Sequence, residues 1–175
     1  MHNLPELKKL TARLERHYGA PTVPPAKGPY ELVMWENACY LLPDDRRAAV
    51  FEGLRTRVGL NASAILKADK AVLLALAKMG GMRPETRVFR WLEIARITMG
   101  QFGGNLDGIL KEPYGRAKKA LKQFPNIGDP GAEKILLFCG LSRTAAGIEW
   151  IACAHTRGLR PISKELCSDI PFRAR

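Results

Sequence analysis

Long apolar runs are missing from this 175-residue sequence, and that absence limits the classes of protein to which it can belong. No stretch approaches the roughly 20 apolar residues that a membrane-spanning helix needs. The N-terminal residues, Met1 to Glu6, are polar and lack the apolar core of a secretion signal. We therefore expect a cytoplasmic protein that makes no membrane contact and keeps its thiols reduced.

Cysteine is also scarce, and its spacing argues against a metal site. The four cysteines are Cys39, Cys139, Cys153 and Cys167. No two of them stand at the short spacing of zinc ligands or of a compact iron–sulfur loop. His155 follows Cys153 by two residues, but one such pair does not complete a ligand set. We expect four ordinary thiols, no metal and no other cofactor.

Acidic residues are outnumbered by basic ones. The chain has 28 lysines and arginines against 17 aspartates and glutamates, a formal net charge of +11. Basic side chains gain affinity for a polyanion by releasing the counterions condensed on its phosphates. The composition therefore favours a nucleic-acid partner, and a basic protein without such a partner is the alternative.

Alternation of apolar and polar residues with period two is rare, so the sequence predicts an all-α fold. Glycine, proline and asparagine separate the helical patterns. Helices are predicted from Leu4 to Tyr18, from near Pro29 through Tyr40, from Pro43 through Val58, after Asn61, from Asp69 to Lys78, from Pro84 to Phe102, from Arg116 to Gln123 and from Asp129 onward.

Three regions follow from this pattern. Residues 1–28 form an N-terminal helix and a proline-rich linker, 29–141 a helical domain, and 142–175 a basic C-terminal tail. In the first helix three leucines recur at helical spacing with basic residues opposite them. In the helix that opens at Pro84, a set of arginines keeps one side basic: Arg83, Arg87, Arg90 and Arg96.

The most informative segment, Tyr114 to Gly140, reads as two helices joined by a five-residue hairpin. Pro125 is expected to stop the first helix, and Asn126 and Gly128 tolerate positive φ, so the backbone can turn tightly. Ile127, between them, is expected to insert between the two helices. At the start of the second helix, Asp129 is predicted as the N-cap and Pro130 as a first-turn residue.

Such a hairpin presents backbone N–H groups beside a helix N-terminus. Together these groups can bind a phosphate, whatever the base sequence of the nucleic acid. Neighbouring lysines, Lys118 among them, would add affinity. An ordinary helical hairpin without a ligand is the alternative. The predicted DNA-binding residues are Pro125, Asn126, Ile127, Gly128, Asp129, Gly131, Lys119, Lys122 and Lys134.

The segments FEGLRTRVGL (51–60), GGMRPETR (80–87), FGGNLDGIL (102–110) and FPNIGDPGAEKILLF (124–138) resemble the helix-hairpin-helix DNA glycosylase superfamily that includes endonuclease III. The resemblance extends from about Pro29 to Leu141. It implies a helical, glycosylase-like domain that repairs damaged duplex DNA by base excision, with the target base flipped into a pocket. Candidates for that pocket are Trp35, Asn37 and Tyr40, and a core position is favoured for the two aromatic residues.

The sequence departs from the family where the chemistry would lie. Bifunctional members carry a Schiff-base lysine two residues after the last hairpin glycine, and Pro130 stands there. The resemblance therefore implies no lyase activity at the usual site, and Lys134 is expected to contact phosphate instead. The family's catalytic aspartate is absent too, and Glu149 is the nearest carboxylate beyond Leu141, so the catalytic residues are unknown. One hypothesis is that a frameshift replaced the C-terminus after about residue 142.

Three interpretations of the function remain open. The first is a DNA glycosylase without lyase activity, and the second is a helix-hairpin-helix module that binds DNA and performs no chemistry. The third is a structural or partner-binding helical protein whose basic surface has no nucleic-acid ligand. The hairpin supports the first two equally, because both require phosphate contacts.

Overall fold

The computed structural model describes residues 4–20 and 23–141, and over these residues the chain is helical without a strand. The predicted all-α class is confirmed. The elements are α1 (Leu4–Tyr18), α2 (Gly28–Glu36), α3 (Asp44–Arg57), α4 (Ala62–Lys67), α5 (Lys70–Met79), α6 (Pro84–Phe102), a 3₁₀ turn (Asp107–Lys111), α7 (Tyr114–Leu121) and α8 (Asp129–Phe138). The predicted tail at 142–175 and the frameshift hypothesis concern residues outside the described ones.

Capping residues set several helix boundaries where the sequence places them. The side chain of Asn61 accepts a hydrogen bond from the N–H of Ala64 (2.8 Å), and Asp69 accepts one from Ala71 (2.8 Å). Each bond satisfies a backbone donor that a helix start would otherwise leave unpaired. Gly103 ends α6 with a φ of 61°, a conformation that glycine adopts without steric cost.

The helix α2 connects two halves of the domain. One half packs α6 against α4 and α5, with α3 against α5, and the other consists of the 3₁₀ turn, α7 and α8. α2 contacts α3 and α6 on one side and α8 and the 3₁₀ turn on the other. At its C-terminus the fully buried Trp91 donates its indole N–H to the carbonyl of Asn37 (3.1 Å). This bond fixes the end of α2 against α6.

The apolar face of α1 does not enter this core. Leu7, Leu10 and Leu14 are 52%, 51% and 47% exposed, although they recur at the helical spacing that predicted the helix. Periodicity therefore predicted the secondary structure of α1 correctly but not the burial of its leucines, because burial requires a packing partner elsewhere in the fold.

Candidate nucleic-acid interface

A tight hairpin joins α7 to α8, and buried side chains hold it in place. Phe124 and Ile127 are both buried, and the Phe124 ring stacks on Phe102 at 5.9 Å between centroids. The N–H of Ile127 donates to the carbonyl of Phe124 (3.2 Å), with Asn126 at a φ of 62° between them. Ile127 is thus buried, as its expected insertion requires, and Asn126 adopts the positive φ that it was expected to tolerate.

Gly128 has a φ of −91° and a ψ of −170°, so the turn does not use its tolerance of positive φ. Two details of the hairpin differ from the sequence prediction. Pro125 does not end the first helix, because α7 already ends at Leu121 and the chain turns through i→i+3 bonds before reaching the proline. Asp129 is not the N-cap, since Gly128 holds that position and the Asp129 carboxylate pairs with lysines instead. Pro130 does lie in the first turn, as predicted.

The N-terminus of α8 presents free backbone donors. The N–H of Ala132 bonds to the carbonyl of Gly128 (2.9 Å), but those of Gly128, Asp129 and Gly131 donate to no group in the part of the chain that the structure describes. Aligned donors at a helix N-terminus attract an anion. A Cβ placed on Gly128 would meet only the Pro130 ring, at 3.8 Å, so there is free space beside the backbone at the start of α8.

Carboxylates neutralise two of the hairpin lysines. Lys118 Nζ lies 2.8 Å from Asp129 Oδ1 and 2.7 Å from Glu133 Oε1, and Lys122 Nζ lies 2.9 Å from Asp129 Oδ2. Hydrogen bonds from Lys118 and then Lys122 lower the pKa of Asp129 to about 2. The reciprocal bonds from Asp129 and Glu133 raise the pKa of Lys118. Asp129 and Lys118 therefore stay charged at neutral pH, and the ion pairs offset the charge of these lysines locally.

The other two lysines near the hairpin differ from each other. Lys134 Nζ lies 2.8 Å from Glu36 Oε2 and therefore already has an anionic partner. Lys119 is exposed and forms no ion pair with the described residues. Among the four lysines that the sequence assigned to phosphate contacts, Lys119 alone keeps an uncompensated charge within that part of the chain.

Beside the hairpin lies a cleft of about 470 Å³, which we call the arginine cleft. It is lined by Asn37, Cys39, Tyr40, Met82, Arg83, Thr86, Arg87, Arg90 and Asn126. The predicted pocket residues Asn37 and Tyr40 thus lie at one site with Asn126 of the hairpin. Trp35 is instead a core residue, 5% exposed and edge-on to Phe51 at 5.3 Å. Tyr40 is 54% exposed, so the core position favoured for it is wrong.

Asn37 ties α2 to the hairpin. Its Nδ2 donates to the carbonyl of Val33 (3.0 Å) and, across the domain, to that of Pro125 (3.1 Å). The residue is 3% exposed, and its Oδ1 accepts no hydrogen bond from the described residues. The two donor contacts fix which amide atom is which, so this residue of the cleft lining keeps a buried acceptor that is unused among the described residues.

The sequence analysis placed the arginines of the cleft on the basic side of a helix. It did not include them among the predicted binding residues. Arg87 is buried and donates to the carbonyls of Ala77 (2.7 Å) and Met82 (3.1 Å), where it supports the turn between α5 and α6. Arg83 and Arg90 form no ion pair with any described carboxylate. The spacing i, i+4, i+7 of the three could have indicated a shared helix face.

Backbone conformation also marks this region. Among the described residues, three that are not glycine have positive φ, namely Leu41 (52°), Arg83 (56°) and Asn126 (62°). Arg83 and Asn126 line the arginine cleft, and Leu41 follows Tyr40, which lines it too. Such conformations cost free energy and concentrate at functional sites.

The described residues offer little for covalent chemistry. Pro130, at the position where the resembled family has its lysine, carries no amine. Burial raises the pKa of the Cys39 thiol and raises that of Cys139 to about 12, so both thiols stay protonated at neutral pH and are poor nucleophiles. Glu149 lies outside the described residues.

Within the described ranges, no group of three or more histidine, cysteine or acidic side chains could hold a metal ion. None of the described helices combines the length and apolar character needed to cross a bilayer. No protein-family model matches the chain, and comparison with curated protein sequences yields no match.

Proposed function

We propose that this chain binds duplex DNA through its hairpin, in the manner of a helix-hairpin-helix DNA glycosylase. The observation that carries the proposal is the set of unused N–H groups on Gly128, Asp129 and Gly131 at the start of α8. These donors match a phosphate oxygen and require no particular base. Exposed Lys119, one turn before the hairpin, would add a charge contact.

Base-excision repair is the finer part of the proposal. The arginine cleft is large enough for a nucleobase, and Asn126 belongs both to the cleft lining and to the hairpin. A base turned out of a duplex held at the hairpin would therefore have an adjacent pocket. The half-exposed ring of Tyr40 would offer it a stacking surface, and Asn37 an acceptor.

A second candidate is a binding module without chemistry. The cleft lining contains neither a lysine nor a carboxylate, so it supplies no amine for a Schiff base and no acidic group to stabilise an electron-poor sugar. This observation favours binding alone. It also leads us to expect no lyase activity under either candidate.

Incubating the full chain with a panel of damaged duplexes separates the two. Base release and strand cleavage are scored independently, alongside binding measured against salt concentration. Base release without cleavage supports the glycosylase, whereas salt-sensitive binding without release supports the module. A flat salt response would contradict phosphate contact altogether and leave a partner-binding helical protein.

A further inference from the structure

The arginine cleft carries charge of one sign. Its lining has three guanidinium groups and no carboxylate. The guanidinium of Arg87 donates to backbone carbonyls. Arg83 and Arg90 have no anionic partner among the described residues. By contrast, Arg96 on the same helix pairs with Glu93 (3.3 Å). A recess lined by one sign of charge concentrates counterions, so the cleft favours an anion.

The unpaired acceptor of Asn37 favours a ligand that also carries a hydrogen-bond donor. Asn37 lines the cleft, its buried Oδ1 receives no donor from the described residues, and the two bonds of Nδ2 prevent the amide from flipping to another arrangement. A buried acceptor that lacks a donor costs free energy. A ligand that supplies an N–H or O–H would remove that cost.

We propose that the arginine cleft binds the terminal phosphate monoester of a nucleotide, with the phosphate on Arg83 and Arg90 and a ligand donor on Asn37 Oδ1. Guanidinium groups match phosphate oxygens in charge and geometry. The exposed ring of Tyr40 and the 69%-exposed Met82 flank the recess and suit a base. A volume of about 470 Å³ lies within the range of small-ligand pockets.

The nucleotide could be free or could stand at the end of a DNA strand, since both present the same phosphate monoester. The strand-end case rests on the proposed DNA binding, and the free-nucleotide case does not. Calorimetric titration of the full chain with deoxyadenosine 5′-monophosphate, deoxyadenosine and inorganic phosphate tests the shared chemistry. We expect the nucleotide to bind at least tenfold more tightly than the nucleoside.

Matched variants locate the site. Arg83→Gln and Arg90→Gln should each weaken nucleotide binding at least fivefold, and Arg96→Gln, on the same helix but outside the cleft lining, should not. Arg83 is exposed, so its substitution leaves the core untouched. Equal nucleotide binding by all three variants, or no nucleotide binding by the unmodified chain, would overturn the proposal.

A second titration, with duplexes that carry 5′-phosphate or 5′-hydroxyl ends, identifies the source. A preference for phosphorylated ends that Arg83→Gln abolishes supports the strand end, and nucleotide binding without such a preference supports the free ligand. Duplex binding with neither effect would overturn this inference while the proposed function stands. Nucleotide binding without duplex binding would do the reverse.

Discussion

The hairpin and the arginine cleft lie side by side but differ in whether carboxylates pair with their basic side chains. At the hairpin, Lys118 and Lys122 are matched by Asp129 and Glu133, so the cationic side chains are largely neutralised. In the cleft no carboxylate faces the arginines. The hairpin therefore offers directed backbone donors with little net charge, whereas the cleft offers net charge in a recess.

Two contributions to binding can therefore be told apart, the directed backbone donors and the uncompensated charge. The net charge of the chain does not distinguish them. Backbone donors position a phosphate at short range, and an uncompensated charge attracts polyanions from farther away and makes affinity sensitive to salt. We expect the hairpin to set the register of a bound duplex and the cleft to hold an anionic group. Substitutions in the two regions should consequently fail in different assays.

The largest effect should come from Arg87→Met. It removes the Arg87 donor from the carbonyls of Ala77 and Met82, of which Ala77 keeps only its bond from the N–H of Gly80, and we expect the free energy of unfolding to fall by about 3 kcal/mol. Arg90→Met, at a half-buried position of the same helix, is the control and should change it by less than about 0.5 kcal/mol. Urea denaturation measures both, and equal losses would show that Arg87 has no special structural role.

Gly128→Ala should weaken duplex binding about tenfold, or about 1.4 kcal/mol, without destabilising the fold. The backbone at Gly128 is extended and its added Cβ meets only Pro130, at 3.8 Å, so the methyl group obstructs an approaching phosphate and not the protein. Gly115→Ala, in α7 with nothing within 4 Å, is the matched control. Fluorescence anisotropy that finds unchanged affinity in Gly128→Ala would remove the hairpin from the interface.

Lysine substitutions should rank by ion pairing. Lys119→Glu should lower the salt slope of DNA binding by about one unit for every sequence tested, because this lysine has no anionic partner among the described residues. Lys122→Gln should lower it less, since Asp129 already offsets that charge. A larger effect at Lys122, or an effect confined to particular sequences, would contradict this ranking.

Asp129→Asn should produce a small gain in DNA affinity and a small, pH-dependent loss of stability. It removes a carboxylate beside the proposed phosphate site, which frees Lys122 and leaves Lys118 paired with Glu133 alone. Because the folded pKa of Asp129 is lowered to about 2, its contribution to stability is present above the unfolded pKa of about 4 and disappears as pH falls towards 2. Melting temperatures of variant and parent should therefore converge in acid, and a constant difference across pH would refute the assignment.

Neither region should form a covalent adduct with DNA. Borohydride trapping on abasic duplexes requires a primary amine near C1′ of the sugar, but the hairpin position has Pro130 and the cleft has arginines. We expect no trapped complex above background, as judged by denaturing electrophoresis. A bifunctional glycosylase serves as the positive control, and a reducible adduct with this chain would reveal another lysine in that role.

Local signals in the sequence predicted the helices well. Asn61 and Asp69 cap their helices, and Gly103 ends α6, because capping and positive φ act within a few neighbouring residues. The same reasoning was wrong for Asp129, a good N-cap residue whose carboxylate instead pairs with Lys118 of α7 and with Lys122, which directly follows α7. Asn126 adopts the positive φ that is common for asparagine in turns, whereas Gly128 has an extended backbone that other residues can also adopt.

By itself the sequence determined the all-α class, most helix boundaries and the excess of positive charge, since these depend on composition and on short-range patterns. The tertiary structure alone decided which charges are compensated and which residues form a site. Asn37 and Pro125 are 88 positions apart, yet the amide of one bonds to the carbonyl of the other. Only the packing of α2 between α6 and the hairpin brings Asn37, the arginines and Asn126 to one cleft.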